Sequence, residues 1–316
     1  MLAAGTGRWD FGQNPNGGLL YTSRSSGGYN WTYAATRPNF LSLASSSDGS
    51  KLASAMGYGG LHTSTDGGAS WTKTSAPDGY VDGCVRHHWQ AIASSSDGTK
   101  LAAATGYNGG CGSYGTIYTS TDSGVSWVPA ATTPWTSRTD NNRCPDFSSI
   151  ASSSDGSKLA AAAGFGNSPS PRGIYVSAGR GNNGGVSWIK TSAPALDWRS
   201  IASSSDGSKL AAVARASGIY TSTDSGATWY PTPASRIIFW RSIASSSDGL
   251  QLAAAACDDG SGVYASADGG VSWAKTSAPS SACVIASSSD GIKLVSAGVG
   301  GIYTSNDNGG HWNRVL

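Results

Sequence analysis

The chain contains no glutamate: all 19 of its acidic residues are aspartate, which narrows the acid–base chemistry open to it. Charge of either sign is scarce, at 13% of 316 residues against roughly 25% in an average domain. With 38% hydrophobic residues, that balance excludes a disordered chain or a coiled coil. A net charge of +2 and the lack of any Lys/Arg run give no nucleic-acid surface. No apolar stretch approaches the ~20 residues that span a bilayer, and residues 1–7 are too short for a signal peptide, so a soluble chain is expected. The 3.6-residue helical period is missing as well. No glycine loop precedes a helix and no nucleophile elbow is present, so no cofactor is expected and no serine-hydrolase chemistry has a footing.

What is abundant is glycine (44 residues), with 12 tryptophans, and both fall at fixed places in a repeat. Ala-Ser-Ser-Ser-Asp-Gly occurs six times, its aspartates at Asp48, Asp97, Asp155, Asp206, Asp248 and Asp290. A second string, Ser-Thr-Asp-Gly-Gly-Ala-Ser-Trp or a relative, follows each copy and ends at Trp71, Trp127, Trp188, Trp229, Trp273 and Trp312. A degenerate seventh copy ends at Trp31. Between these marks residues alternate as strands do, and Asp-Gly supplies the turn because both residues tolerate positive φ. Four short antiparallel strands per unit predict an all-β propeller. The expectation is seven four-stranded blades in one domain, roughly 1–36, 37–77, 78–131, 132–194, 195–234, 235–278 and 279–316. The first looks three-stranded, because residues 1–7 read as a second strand.

The pattern Ser-x-Asp-x-Gly-x-(Ser/Thr)-Trp resembles the Asp-box, or BNR repeat, of sialidases, sortilin-type receptors, xyloglucanases and photosystem assembly factors. The resemblance implies a structural turn between the third and fourth strands, its Asp and Ser bonding local backbone amides and its Trp packing inward. Asp66, Asp122, Asp224, Asp268 and Asp307 fit that role. Residues 23–31 lack the Asp, and residues 177–188 carry an insertion with Asn183 near the Asp slot, so looser turns are expected at both. Asn30-Trp31-Thr32 reads as a glycosylation acceptor but lies inside the degenerate box.

If first strands begin on one face, the interblade connections and second-to-third-strand loops share it, and both hairpins share the other. Insertions at 78–88, 105–115, 132–146 and 163–173 all fall on the first face, as binding loops of repeat proteins do. They carry Arg86, His87, His88, Tyr107, Tyr114, Trp135, Arg138, Asp140, Arg143 and Asp146, with Arg172 nearby. Such a mixture suits sugars: rings lie on aromatic faces, and carboxylate or sulfate groups pair with Arg forks. A solvated loop with internal ion pairs is the plainer reading. Phe40, Trp89, Phe147, Trp198 and Trp240 precede the first strands and read as interblade wedges. Trp198 with Arg199, or Trp240 with Arg241, is a secondary lectin-like candidate.

Five cysteines in a chain rich in Ser, Thr and Gly suggest a secreted protein or another oxidising compartment, with an intracellular or organellar home left open. Equivalent loop positions pair Cys111 with Cys144 and Cys257 with Cys283, leaving Cys84 free; Cys84 with Cys111 is the alternative. The sialidase resemblance does not extend to an active site, because that family needs a Tyr nucleophile with a Glu partner. A glycosidase using two of Asp78, Asp82, Asp140, Asp146 and Asp197 stays open. His87-His88 point to opposite sides of a strand, and Asp258-Asp259-Gly260 lacks further spaced acids, so neither makes a metal site. The primary expectation is a non-catalytic propeller that binds a glycan, anionic in one version. The alternatives are a protein-docking scaffold or assembly factor, and the Asp-pair glycosidase.

Overall fold

The computed structural model describes residues 2–6, 19–23, 31–36, 40–57, 59–77, 80–81, 84–85, 88–106, 115–131, 145–164, 172–180, 186–234, 238–256, 261–298 and 300–315. The expectation of seven four-stranded blades is overturned. The chain is an all-β, six-bladed propeller of four-stranded antiparallel blades, here A (40–73), B (88–129), C (147–190), D (198–231), E (240–275) and F (282–314). The degenerate first copy forms a three-stranded sheet of β1 (Leu2–Thr6), β2 (Leu19–Ser23) and β3 (Trp31–Thr36). Among the described residues β1 pairs only with β2. A two-residue hairpin, Tyr80–Val81 with Cys84–Val85, decorates the connection between blades A and B.

Each blade follows from its sequence. Second strands such as Leu159–Ala163 and Leu252–Ala256 are buried at every residue, because they lie between neighbouring sheets and carry mostly alanine. Fourth strands are two residues long in all blades but C and mostly exposed. Lys, Pro or Arg in those strands blunts the outer edge. The hydrophobic core is interblade. One cluster joins Ala160, Ala162 and Ile174 of blade C to Trp198, Ile201 and Leu210 of blade D, and four similar clusters join the other neighbours.

The Asp-Gly turn is a four-residue loop. Ser46 N–H donates to the Lys51 carbonyl at 2.9 Å, Gly49 N–H donates back to Ser46 at 3.0 Å, and Gly49 takes φ of 69°. Asp48 accepts the Ser46 hydroxyl and the Ser50 amide. In the Trp-bearing turn, Asp66 accepts from the Ser64 hydroxyl at 2.7 Å and the Ser70 amide at 2.9 Å. Trp71 Nε1 donates to the Gly68 carbonyl at 3.1 Å. The two turns of a blade meet at one end: Gly67 N–H donates to the Ser50 carbonyl at 2.8 Å.

Two ladders tie blade to blade around the axis. Ser47 N–H donates to the Ser96 carbonyl, Ser96 to Ser154, Ser154 to Ser205, Ser205 to Ser247 and Ser247 to Ser289, each at 2.7 or 2.8 Å. In the second, the amides of Ile92, Ile201, Ile243 and Ile285 donate to the hydroxyls of Ser42, Ser149, Ser200 and Ser242 on the preceding blades, at 3.1–3.3 Å. Lysines add an outer tie on the turn face: Lys100 and Lys209 reach the Asp155 and Asp248 carbonyls of the next blade at 2.7 Å.

Candidate functional site

The two faces differ in chemistry. On the turn face eleven aspartates, from Asp48 to Asp307, lie below their ordinary pKa because hydroxyls and backbone amides bond the charged carboxylate. Asp122, Asp155 and Asp224 sit at about 2. In blade F, His311 Nδ1 lies 2.6 Å from Asp307, in the place a Ser or Thr hydroxyl takes elsewhere. These carboxylates stabilise turns and remain ionised, so none is poised as a general acid near neutral pH. The turn of blade C departs from the set: Ser177 accepts the Leu159 amide instead, and Trp188 Nε1 has no partner among the described residues.

The opposite face is built on a β-bulge repeated in every first strand, where the pairing register shifts between Phe40 and Ser42, Trp89 and Ala91, and so on to Ala282 and Val284. A bulge leaves one residue out of the ladder and re-aims it. Those residues are Leu41, Gln90, Ser148, Arg199, Arg241 and Cys283, all half-buried. Arg199 forms an ion pair with Asp197 at 2.7 Å, with side chains 16% and 21% exposed, so solvent still reaches both. Arg215 lies 4.9 Å above the Phe239 ring, a cation–π contact that the sequence did not suggest.

At the junction of blades A, B and C, His88 and Gln90 lie 2.9 Å apart through Nδ1 and Nε2. Burial lowers the His88 pKa, favouring the neutral ring. Asp146 is 3% exposed. A methyl on Gly106 would come within 2.7 Å of its Oδ1 and 2.5 Å of Gln90 Cγ, so glycine lets the two blades close here.

Of the residues singled out from sequence, His88, Asp146, Arg172, Asp197, Trp198, Arg199, Trp240, Arg241 and Cys283 are among those described. Arg86, His87, Tyr107, Tyr114, Trp135, Arg138, Asp140, Arg143, Cys111, Cys144 and Cys257 lie outside the described residues, as do Asp78 and Asp82. Trp198 is fully buried, donates to the Pro194 carbonyl at 3.0 Å and meets Tyr220 edge-on at 5.3 Å. The structure therefore corrects its lectin-like reading: the ring wedges blade D and presents no face to a sugar. Trp89, Phe147 and Trp240 are buried in the same way. Cys283 is disulfide-bonded. A cavity of about 140 Å³ lies between blades C and D, lined by Lys158, Ser177, Ser203 and Ser225 on the turn side. It is a packing gap away from the bulge residues.

No family model and no curated protein sequence matches the chain. Solved structures do. An ancestral GH74 enzyme is 18% identical over 94% of this chain and 40% of its own, with a TM-score of 0.61. Hydrazine synthase of Kuenenia stuttgartiensis is 14% identical over 92% of this chain and 93% of its own, at 0.60. YCF48 bound to a D1 peptide is 15% identical over 93% and 89%, at 0.58. The chain spans 51%, 61% and 40% of three GH74 structures that it resembles. At these identities the likeness shows a β-propeller fold. No helix among the described residues is long and apolar enough to cross a membrane.

Proposed function

We propose that the chain is a non-catalytic binding propeller whose loop-bearing face takes an anionic ligand. The observation that carries this reading is the pair Arg199 and Arg241, which occupy the same bulge in the adjacent blades D and E, on the face to which the inserted loops of blades A to C are assigned, where the other blades have Leu41, Gln90, Ser148 and Cys283. A glycan bearing carboxylate or sulfate fits that cationic rim, with Tyr107, Tyr114 and Trp135 as stacking candidates and Arg138, Arg143 and Arg172 as further forks. An acidic protein segment is the second reading, favoured by the peptide bound to the similar YCF48 propeller. We read the repeated turns as Asp-boxes. Of the five aspartates open to a glycosidase pair, Asp146 is buried and Asp197 is held by Arg199, which favours binding over hydrolysis.

An array of anionic glycans and acidic peptides, probed with wild type and the Arg199→Ala/Arg241→Ala double variant, tests the proposal. Retention by the wild type and at least tenfold loss in the variant supports it. Equal retention by both, or turnover of a polysaccharide, overturns it. The Cys283 disulfide supports an oxidising compartment. Peptide mapping without reduction is expected to join Cys283 to Cys257 and Cys111 to Cys144.

A further inference from the structure

The turn face is not uniform. In blades A to D the residue two after the Asp is Ser50, Thr99, Ser157 or Ser208, and its hydroxyl bonds the carboxylate of Asp48, Asp97, Asp155 or Asp206 at 2.7–2.9 Å. Blades E and F carry Leu250 and Ile292 there. Their amides still donate to Oδ1 of Asp248 and Asp290, at 2.9 and 3.0 Å, but among the described residues no group bonds Oδ2 of either. The exchange also bares aliphatic surface. Leu250 is 41% and Ile292 49% exposed, and Val271, in the Trp-bearing turn of blade E, is 74% exposed.

The interblade lysine is replaced at the same seam. Lys51, Lys100, Lys158 and Lys209 reach the turns of following blades, and the field of each favours the ionised form of Asp97, Asp155, Asp206 or Asp248. Gln251 takes that place in blade E. It packs beneath the Asp290 turn as Lys209 packs beneath that of Asp248, since a methyl on Gly291 would collide with Gln251 and one on Gly249 with Lys209. Its Oε1 accepts from Asn308 Nδ2 at 2.9 Å, so it brings no cation to Asp290. Lys293 of the same turn is the weakest of the influences on the Asp290 carboxylate, and His311 is paired with Asp307. The aliphatic side chains belong together. Leu250 Cδ2 lies 3.7 Å from where a methyl on Gly269 would sit, in the turn that carries Val271. The Gln251–Asn308 bond joins blade E to the residue whose amide donates to the Ile292 carbonyl at 2.8 Å. The turns of blades D, E and F around this patch are described at every residue, and none covers it.

We infer that this patch docks a partner protein through a segment in which a lysine or arginine is flanked by aliphatic residues. The cation takes Oδ2 of Asp290, and its stem and neighbours lie on Leu250, Val271 and Ile292. The charge of the seam selects that chemistry. Asp248, Asp268, Asp290 and Asp307 are exposed and ionised, so a sulfated glycan, a nucleic acid or an anionic lipid surface is repelled. A small polyamine would pair with the carboxylates and leave the three aliphatic side chains wet. The neighbouring seam shows the fit from within: the Lys209 stem lies along the Gly249 turn and its ammonium donates to the Asp248 carbonyl at 2.7 Å. A second copy of this chain offers Arg199 and Arg241, but among the described residues their face of blades D and E has no exposed large aliphatic side chain to lay on the patch. The patch lies on the face opposite the bulge residues and does not rest on the anionic-ligand reading.

The test pans a phage-displayed library of random dodecapeptides on the wild-type chain and measures synthetic peptides of the leading clones by fluorescence anisotropy. Clones carrying Lys or Arg beside Leu, Ile or Val are expected, with saturable one-to-one binding. The Gln251→Lys/Ile292→Ser variant gives this seam the residues of the seam between blades C and D, Lys158 and Ser208. It is expected to melt no lower than wild type by circular dichroism and to bind at least tenfold more weakly, and Asp290→Asn at least fivefold more weakly. The Arg199→Ala/Arg241→Ala variant is expected to keep full affinity, which separates this patch from the loop face. No saturating clone, leading clones without a cation, or full affinity in the rebuilt variant overturns the inference. So does loss of binding in the double arginine variant. A dimer by light scattering that the rebuilt variant dissolves also overturns it, by making a second copy the occupant.

Discussion

The junction between blades D and E and the junction after blade F use the same strand pattern and differ in what covers it. At the first, Ser200 accepts the Ile243 amide at 3.3 Å, Trp240 is fully buried and Ser204 is 1% exposed. At the second, Val284 stands where Ser200 does, and Ala286 and Ser288 lack their cover. The difference teaches that a first strand is built to be half of a pair. Its own blade buries one side, and only the next blade buries the other.

The largest effect expected from that contrast is at the wedge. Trp198→Ala should cost about 3–5 kcal/mol of stability, by loss of buried area and the cavity left behind. Val284→Ala should change stability by no more than about 0.5 kcal/mol. Urea titration of both variants measures the gap, and similar losses in the two would break the comparison. Next in size is the ladder itself. Ser200→Ala leaves the Ile243 amide without its hydroxyl acceptor and should cost about 1–3 kcal/mol in the same titration.

Acid comes next, and it acts on the turn face. The turn aspartates have folded pKa values below the ordinary 3.8, so the unfolded chain binds more protons as pH falls. Their contribution is whole above about 4 and drains away toward about 2; thermal melts across that window should fall steeply. His88 also loses stability on acidification, but higher up, because burial lowers its folded pKa below 6.5 and the unfolded ring protonates first. His88→Gln should flatten the shallower decline that sets in as pH falls through 6.5. The smallest effect is at the outer ties: Lys209→Ala should cost at most about 1 kcal/mol.

The repeats made the propeller legible because each strand is bounded by turn residues whose backbone demands are visible one by one. Asp48 and Asp66 announce their turns by type and spacing. The blade count was not legible, because a Trp-bearing turn marks a third-to-fourth-strand connection whether or not a first strand exists. The first copy shows this: it has Trp31 and its sheet has three strands. Aromatics before the first strands were readable as wedges, yet their full burial depended on how closely neighbouring blades approach. The interblade reach of Lys100 and Lys209 was missed, although its signal was present as a lysine three residues after the Asp in five of the six turns. The contact of Arg215 with Phe239 joins residues brought together only by the fold, and no local pattern carries it.

The buried second strands also constrain how this ring can diverge. Ala160 to Ala163 and Ala253 to Ala256 are each at most 2% exposed, with a sheet packed on either side. Any larger residue there must displace two neighbours at once. Sameness among the copies is thus policed by volume at the second strand, while the loops beyond it are released to vary, and novelty in such a chain accumulates at its rim.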